Sequence, residues 1–225
     1  MSYFISFEGG EGTGKSTQIK ILKERICKTS NYQCLIIQEP GTTNLGDKLR
    51  VLLKKETSPD HSITYLSELL LFSAARSELV TKVIKPNLEK PNLIIIADRY
   101  VDSTTAYQGY GRQLDLNKIK LINNLATQNI MPDITFLLDF NPSTGIERLG
   151  SYQMEFSLNE SSNQRETEGV RFETESNEFL NRVRNGYLEL AKNDPERWKI
   201  INADLTKTKI SKIIWETIES KLKNI

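Results

Sequence analysis

A short apolar run, Tyr3-Phe4-Ile5-Ser6-Phe7, leads into Gly9-Gly10-Glu11-Gly12-Thr13-Gly14-Lys15-Ser16-Thr17, which meets every fixed position of the pattern G-x-x-x-x-G-K-[ST]. The pattern constrains the fold because it works only as a loop between a strand and a helix. Its glycines let the backbone bend round an anion with amide N–H groups pointing inward, and the helix that follows adds the positive end of its dipole. The flanks agree: the run before it is β-prone, and Ile19, Leu22 and Ile26 recur at helical spacing behind it. Residues 9–17 are therefore expected to hold a nucleoside triphosphate, with Lys15 on the outer phosphates and Ser16 as a magnesium ligand.

Four more short apolar runs follow, Cys34 to Ile37, Leu93 to Ala97, Ile134 to Leu138 and Trp198 to Ile201. None alternates in polarity, which is how strands buried on both faces read. Helical periodicities lie between them: Leu66, Leu69, Leu70 and Phe72 before Pro86, then Ile119, Ile122 and Leu125 before Pro132. Phe179, Val183, Tyr187 and Leu190 form another, and Ile210, Ile213, Ile214 and Leu222 the last. With short connections and right-handed crossovers, this alternation predicts an α/β fold, a doubly wound five-stranded parallel sheet with helices on both faces and ligands at the carboxyl ends of the strands. The 225 residues read as a single domain, 1–225, interrupted by one insertion. That insertion, Gly150 to Ser176, is rich in Ser, Asn, Gln and Glu, with Arg165 and Arg171 as its two arginines. Long polar segments in compact domains are usually functional or disordered, and a mobile lid over the triphosphate is expected here.

Thirty basic residues against 29 acidic leave a net charge of +1, so no overall basic field argues for a nucleic-acid partner. His61 is the sole histidine, which removes His-centred triads and zinc clusters. No apolar run approaches the ~18 residues of a membrane-spanning helix, and the polar first turn after Phe7 does not resemble a signal peptide. Cys27 and Cys34 have neither metal nor redox spacing and read as reduced thiols of a cytoplasmic protein.

Polar clusters follow the apolar runs, at the edge where such a sheet presents its ligand sites. After the second run comes Gln38-Glu39-Pro40-Gly41-Thr42-Thr43, and after the third Asp98-Arg99-Tyr100, then Ser103 to Gly109. Asp98 can steady a hydrated magnesium ion, and Arg99 offers a planar fork for phosphate. Phe72 and Arg76 are four apart, so a helix shows both on one face, where an aromatic ring and a guanidinium can stack a base and bond its carbonyl.

The set FEGGEGTGKST (7–17), QEPGTTNLGDKLR (38–50), LLFSAAR (70–76), DRYVDSTTAYQG (98–109) and PDITFLLDFNP (132–142) resembles the thymidylate kinase family, in order, as far as about Tyr187. The resemblance implies transfer of the γ-phosphoryl of ATP to dTMP, with magnesium and commonly as a homodimer. It further implies that Glu11 meets the 3′ hydroxyl of the acceptor sugar, that Phe72 stacks on thymine and that Arg76 bonds a ring carbonyl. Thr104 and Gln108 match the polar pair that reads the ring N–H, and Tyr107 the aromatic that crowds the 2′ position. Arg50 and Arg99 match phosphate-binding arginines, and Glu39 with Pro40 the loop lining the acceptor site. Asn202-Ala203 resembles the turn near the adenine.

Some positions depart from the family pattern. Gln38 stands where bacterial members usually carry Arg, and Arg50 and Arg99 are expected to compensate. Gly12 stands where the eukaryotic branch has a loop arginine, so Arg165 or Arg171 must supply that charge, as in the bacterial branch. Arg171-Phe172-Glu173 best matches the lid's Arg-apolar-Glu segment. Two alternatives stay open: a kinase for another monophosphate or a deoxynucleoside, and a nucleotide-gated switch, although no N-K-x-D base-reading motif is present. A deoxynucleoside kinase needs a base for the sugar hydroxyl, and a glutamate near Glu8 or Glu39 could be recruited.

Overall fold

A computed structural model describes residues 2–54, 63–141, 172 and 175–222. Each apolar run forms a strand: β1 (Tyr3–Glu8), β2 (Gln33–Gln38), β3 (Leu93–Asp98), β4 (Ile134–Asp139) and β5 (Trp198–Asn202). All pair in parallel in one sheet, ordered β2-β3-β1-β4-β5. Every strand runs one residue beyond its apolar run, into Glu8, Gln38, Asp98, Asp139 or Asn202. Ladder hydrogen bonds need no apolar side chain, so the sheet delivers five polar groups to its carboxyl edge.

Burial divides the strands by position. The three central strands are buried almost throughout, whereas β2 is only half covered and Ile200 of β5 is 48% exposed. The expectation of burial on both faces therefore fails at the two edge strands, each flanked by one neighbour.

Eight α-helices are described: α1 (Lys15–Thr29), α2 (Asn44–Lys54), α3 (Tyr65–Leu79), α4 (Lys85–Leu88), α5 (Val101–Thr104), α6 (Leu116–Thr127), α7 (Asn177–Asn193) and α8 (Lys207–Leu222), with a π-helical stretch after α5 at Thr105–Gly111. A π-helical turn, Val80–Ile84, also joins α3 to α4. The period of two along the strands sorts the core into layers. Ile5, Phe7, Ile94, Ile96, Phe136 and Leu138 pack with Ile19, Leu22 and Ile26 of α1 and Ile210, Ile214 and Ile218 of α8. Phe4, Ile95 and Ala97 turn the other way, against Leu79, Val80 and Ile84. Leu137 and Trp198 join Ala106, Tyr107, Phe179, Val183 and Tyr187.

The helices start where side chains satisfy free backbone N–H groups. Thr64, Asp115 and Ser176 accept from the amides of Ser67, Asn117 and Phe179 at the heads of α3, α6 and α7. The helical spacing is right but the inward face is not as expected. Leu69 is buried, while Leu66, Leu70 and Leu125 are 55%, 50% and 71% exposed. Of the expected 150–176 insertion, Phe172, Glu175 and Ser176 are described; the rest lies outside the described residues.

Candidate active site

Strand register builds the anion site. Phe7 of β1 pairs with Asp98 of β3, so the loop leaving β1 passes directly beside the Asp98 carboxylate. Ser16, in the first turn of α1, donates its hydroxyl to Asp98 Oδ2 at 2.8 Å. The predicted pair of magnesium ligands is thus brought together, 82 residues apart in sequence. A hydroxyl and a carboxylate are hard oxygen donors, which suits magnesium when phosphate oxygens and water complete its shell.

The loop itself is shaped for an anion. Gly9 has φ +131°, and a Cβ there would lie 2.4 Å from the carbonyl oxygen of Leu138, so the loop can seat on β4 only with glycine. Gly14 precedes α1 without any side-chain cap, and the first turn of α1 carries no acidic residue. Its amides and dipole are free to face a phosphate. Lys15 Nζ donates to the carbonyls of Gly9 and Gly10 at 3.1 and 2.7 Å and to Thr13 Oγ1 at 3.4 Å. Burial, then the charge of Arg99, lowers its ammonium to about 8, with Glu11, Asp98 and Glu8 opposing.

Arg99 leaves β3 in the left-handed region, φ +71°. Its NH2 pairs with Glu11 Oε1 at 2.5 Å, and its NH1 donates to Ser103 Oγ and Tyr187 Oη at 3.3 and 3.2 Å. The guanidinium also lies 5.2 Å from the centre of the Tyr107 ring. Two residues expected on the acceptor side, Glu11 and Tyr107, therefore meet one expected on phosphate. Tyr187 reaches this point because α7 packs hard against the π-helical stretch. A Cβ on Gly186 would stand 2.6 Å from the Tyr110 ring, and one on Gly111 2.7 Å from the Phe179 ring.

The second cluster expected on the acceptor side is interior. Arg76 Nε lies 2.6 Å from Glu39 Oε1 with both side chains buried, and its other nitrogens donate to Asn123 Oδ1 and the carbonyl of Tyr100. Burial raises the Glu39 carboxyl above its ordinary range, and Arg76 opposes the shift. Arg50 NH1 donates to the Pro40 carbonyl at 2.9 Å, which holds it on the same loop. Phe72, half-buried, has its ring 6.2 Å from that of Phe172, which in turn meets Tyr107 edge-on at 5.6 Å. Thr104 and Gln108 are both buried, one helical turn apart, and Gln108 Nε2 donates to Glu68 Oε1 at 2.9 Å. Glu68 also pairs with Arg112. A cleft beside Gly9 and Gly10 is lined by Glu11, Tyr107, Leu138, Phe172, Arg184 and Tyr187, among others. Arg165 and Arg171 lie outside the described residues.

Three features of this edge were not read from the sequence in the roles the structure gives them. Glu8, at the end of β1, is wholly buried, and burial followed by the charge of Asp102 raises it to about 7 against the pull of Arg99. Its place as the first polar residue after an apolar strand was the available signal. Tyr187 counted only as an apolar position, yet its hydroxyl donates to Glu8 Oε2 at 3.0 Å. Burial, then the charge of Glu8, holds that phenol well above its ordinary value, so it keeps its proton. Asp139, ending β4, takes a two-pronged bond from Arg184 at 2.7 and 2.9 Å.

Comparison with known proteins agrees with this geometry. The family model described as thymidylate kinase matches residues 7–214. The thymidylate kinase of Dehalococcoides mccartyi is 43% identical over 223 residues, covering 99% of both chains. That of Caldanaerobacter subterraneus subsp. tengcongensis is 38% identical over 221 residues, covering 98% of this chain and 96% of the relative. The crystal structure of thymidylate kinase from Ehrlichia chaffeensis superposes with a TM-score of 0.67 at 35% identity, covering 89% of this chain and 92% of that one.

Proposed function

The chain belongs to the thymidylate kinase family, and from that premise we infer that it transfers the γ-phosphoryl group of ATP to dTMP, giving dTDP and ADP. One observation carries the reading to this chain's own residues. A triphosphate loop with its Ser16–Asp98 pair and an acceptor-side set centred on Arg99, Glu11 and Tyr107 share one edge of the sheet. A switch protein needs the first of these but not the second.

In the reaction an oxygen of the dTMP phosphate forms a bond to the γ-phosphorus while the bond to the β–γ bridging oxygen breaks, its electrons leaving with ADP. The acceptor oxygen is already anionic at neutral pH, so no general base is required. What the protein must supply is alignment of two anions and neutralisation of their repulsion. We assign Lys15 and Arg99 to the transferring phosphoryl, the loop amides to the donor phosphates and Arg50 with Arg99 to the acceptor phosphate. Arg165 or Arg171 is proposed as a further cation on the donor. Glu11 is assigned to the 3′ hydroxyl, Tyr107 to the 2′ side, and Phe72, Arg76, Thr104 and Gln108 to the thymine. Ser16 and Asp98 are the residues to hold magnesium. That ion, when bound, withdraws charge from the phosphate oxygens.

Turnover of dTMP, dUMP, dGMP, CMP and thymidine with radiolabelled ATP tests the assignment. Label is expected in dTDP first; a preference for thymidine over dTMP would reject it. An ATP analogue joined to dTMP through its phosphates should bind far more tightly than ATP, because it spans both sites. Equal binding would favour a switch.

We also propose a homodimer and a cytoplasmic location. Among the described residues no helix is long and apolar enough to cross a membrane. Helix α3 packs against both α2 and α6, and the three leave Val51, Leu52, Leu66, Leu70, Leu121 and Leu125 between 46% and 71% exposed. Six large aliphatic side chains on adjacent helices form a face that a second copy would cover, and patches of this kind mark protein contacts. Leu66→Glu with Leu70→Glu is expected to convert the dimer to monomer in sedimentation velocity. An unchanged dimer would place the interface elsewhere.

A further inference from the structure

Glu8, the last residue of β1, has no exposed surface. An ionised carboxylate in such a place needs its lone pairs filled. Ser6 Oγ and the amide of Tyr100 donate to Oε1 at 3.0 and 2.8 Å, and the Ser103 and Tyr187 hydroxyls donate to Oε2 at 2.6 and 3.0 Å. Three of these four donors belong to the surroundings of Arg99. Tyr100 follows it in the chain, and the two hydroxyls are the groups that receive its NH1.

Arg99 has a reason to need holding. Its φ of +71° lies where a side chain with a Cβ is strained, by roughly 1–3 kcal/mol, and such conformations last only when the surroundings over-determine them. Its own amide donates to the Phe7 carbonyl at 3.1 Å, and the next amide, of Tyr100, donates to Glu8. Two consecutive residues of β1 thus fix the backbone on both sides of the strained position. Through Ser103 and Tyr187 the same carboxylate reaches the tip of the side chain.

We propose that Glu8 is a positioning residue, its buried carboxylate holding Arg99 in the left-handed turn that aims its guanidinium at Glu11 and the phosphate loop. The inference rests on the kinase reading, in which Arg99 meets phosphate. The direction of the hydrogen bonds makes it specific to a carboxylate. In its ionised form, which gains population as pH rises through about 7, Glu8 is acceptor-only: it draws both hydroxyl protons toward itself and leaves the oxygen lone pairs of Ser103 and Tyr187 facing the Arg99 N–H groups. A carboxamide brings N–H donors of its own, so a hydroxyl that accepts from it has its proton turned toward the guanidinium. Shape is kept and the arrangement is lost.

The test is a double-mutant cycle on the full chain with Glu8→Gln, Arg99→Met and the pair, following kcat with radiolabelled ATP and dTMP alongside the melting temperature. Glu8→Gln is expected to lower kcat about 10²-fold, the usual consequence of a phosphate ligand displaced by about an ångström. In the Arg99→Met background it should change kcat by less than about threefold, because there is no longer a guanidinium to aim. Equal losses in both backgrounds, or an unchanged kcat in the wild-type background, would overturn the proposal. Should Glu8→Gln not fold, Tyr187→Phe and Ser103→Ala each remove one link while keeping the carboxylate. They must show the same dependence on Arg99. Wild-type protein that never forms dTDP rejects the kinase reading itself, whereas active wild type with additive variants rejects only the role of Glu8.

Discussion

Lys15→Ala is expected to lower the turnover of dTMP about 10³-fold while leaving dTMP binding nearly unchanged. The ammonium is buried and rests on two carbonyls of its own loop, in the space where the outer phosphates of a bound triphosphate belong. Burial and Arg99 have already weakened its hold on the proton, so it gains more from an arriving anion than an exposed lysine would. That gain is largest as the phosphoryl group detaches, which is why kcat falls rather than acceptor affinity. Arginine is a poor substitute, because a planar fork cannot occupy the compact position between Gly9, Gly10 and Thr13. Steady-state rates of ADP formation and calorimetric titration with dTMP check both halves. An unchanged kcat removes Lys15 from the reaction.

The donor half of the site was legible because it is local. Eight consecutive residues carry the loop pattern, and Ile94-Ile95-Ile96-Ala97 shows a strand covered on both faces before the pairing partner is known. Asp98 could be placed beside the loop because a parallel sheet aligns the carboxyl ends of its strands, and the register of β1 and β3 puts Phe7 level with it. What the sequence concealed is long-range or two-sided. The donors to Glu8 Oε2 come from 95 and 179 residues away, and Tyr187 conceals a working hydroxyl on a side chain that otherwise packs as core. Helical spacing put Phe72 and Arg76 one turn apart, but not the turn of Arg76 into the interior toward Glu39 and Asn123. Nor does an i, i+3, i+4 pattern tell a face covered by the protein's own core from one left bare. Leu69 and Leu70 differ in burial for that reason.

The Arg76–Glu39 pair supplies the other large effect. Arg76→Met is expected to destabilise the protein by about 3–5 kcal/mol, lowering the melting temperature by roughly 6–20 °C for a domain of this size. Most of that loss is the isolated Glu39 rather than the missing contact. Both side chains are buried, no hydrogen-bond donor satisfies Glu39 Oε2 among the described residues, and burial alone already raises its carboxyl. Without the guanidinium the folded-state value rises further above the unfolded one. A group shifted upward stabilises the fold in its protonated state and loses that contribution as pH climbs from the ordinary carboxylate range through the raised value. The deficit of Arg76→Met should therefore be small in acid and grow toward neutral pH, which thermal unfolding across that window measures directly. Adding Glu39→Leu removes the stranded charge and should restore most of the stability, since two apolar side chains can replace a buried ion pair at little cost. Activity on dTMP should not return with it, because the proposed thymine contact of Arg76 is still gone. A double variant that recovers both stability and dTMP turnover would reduce Arg76 to a structural residue, and a single variant as stable as wild type would mean that the pair contributes nothing to the fold.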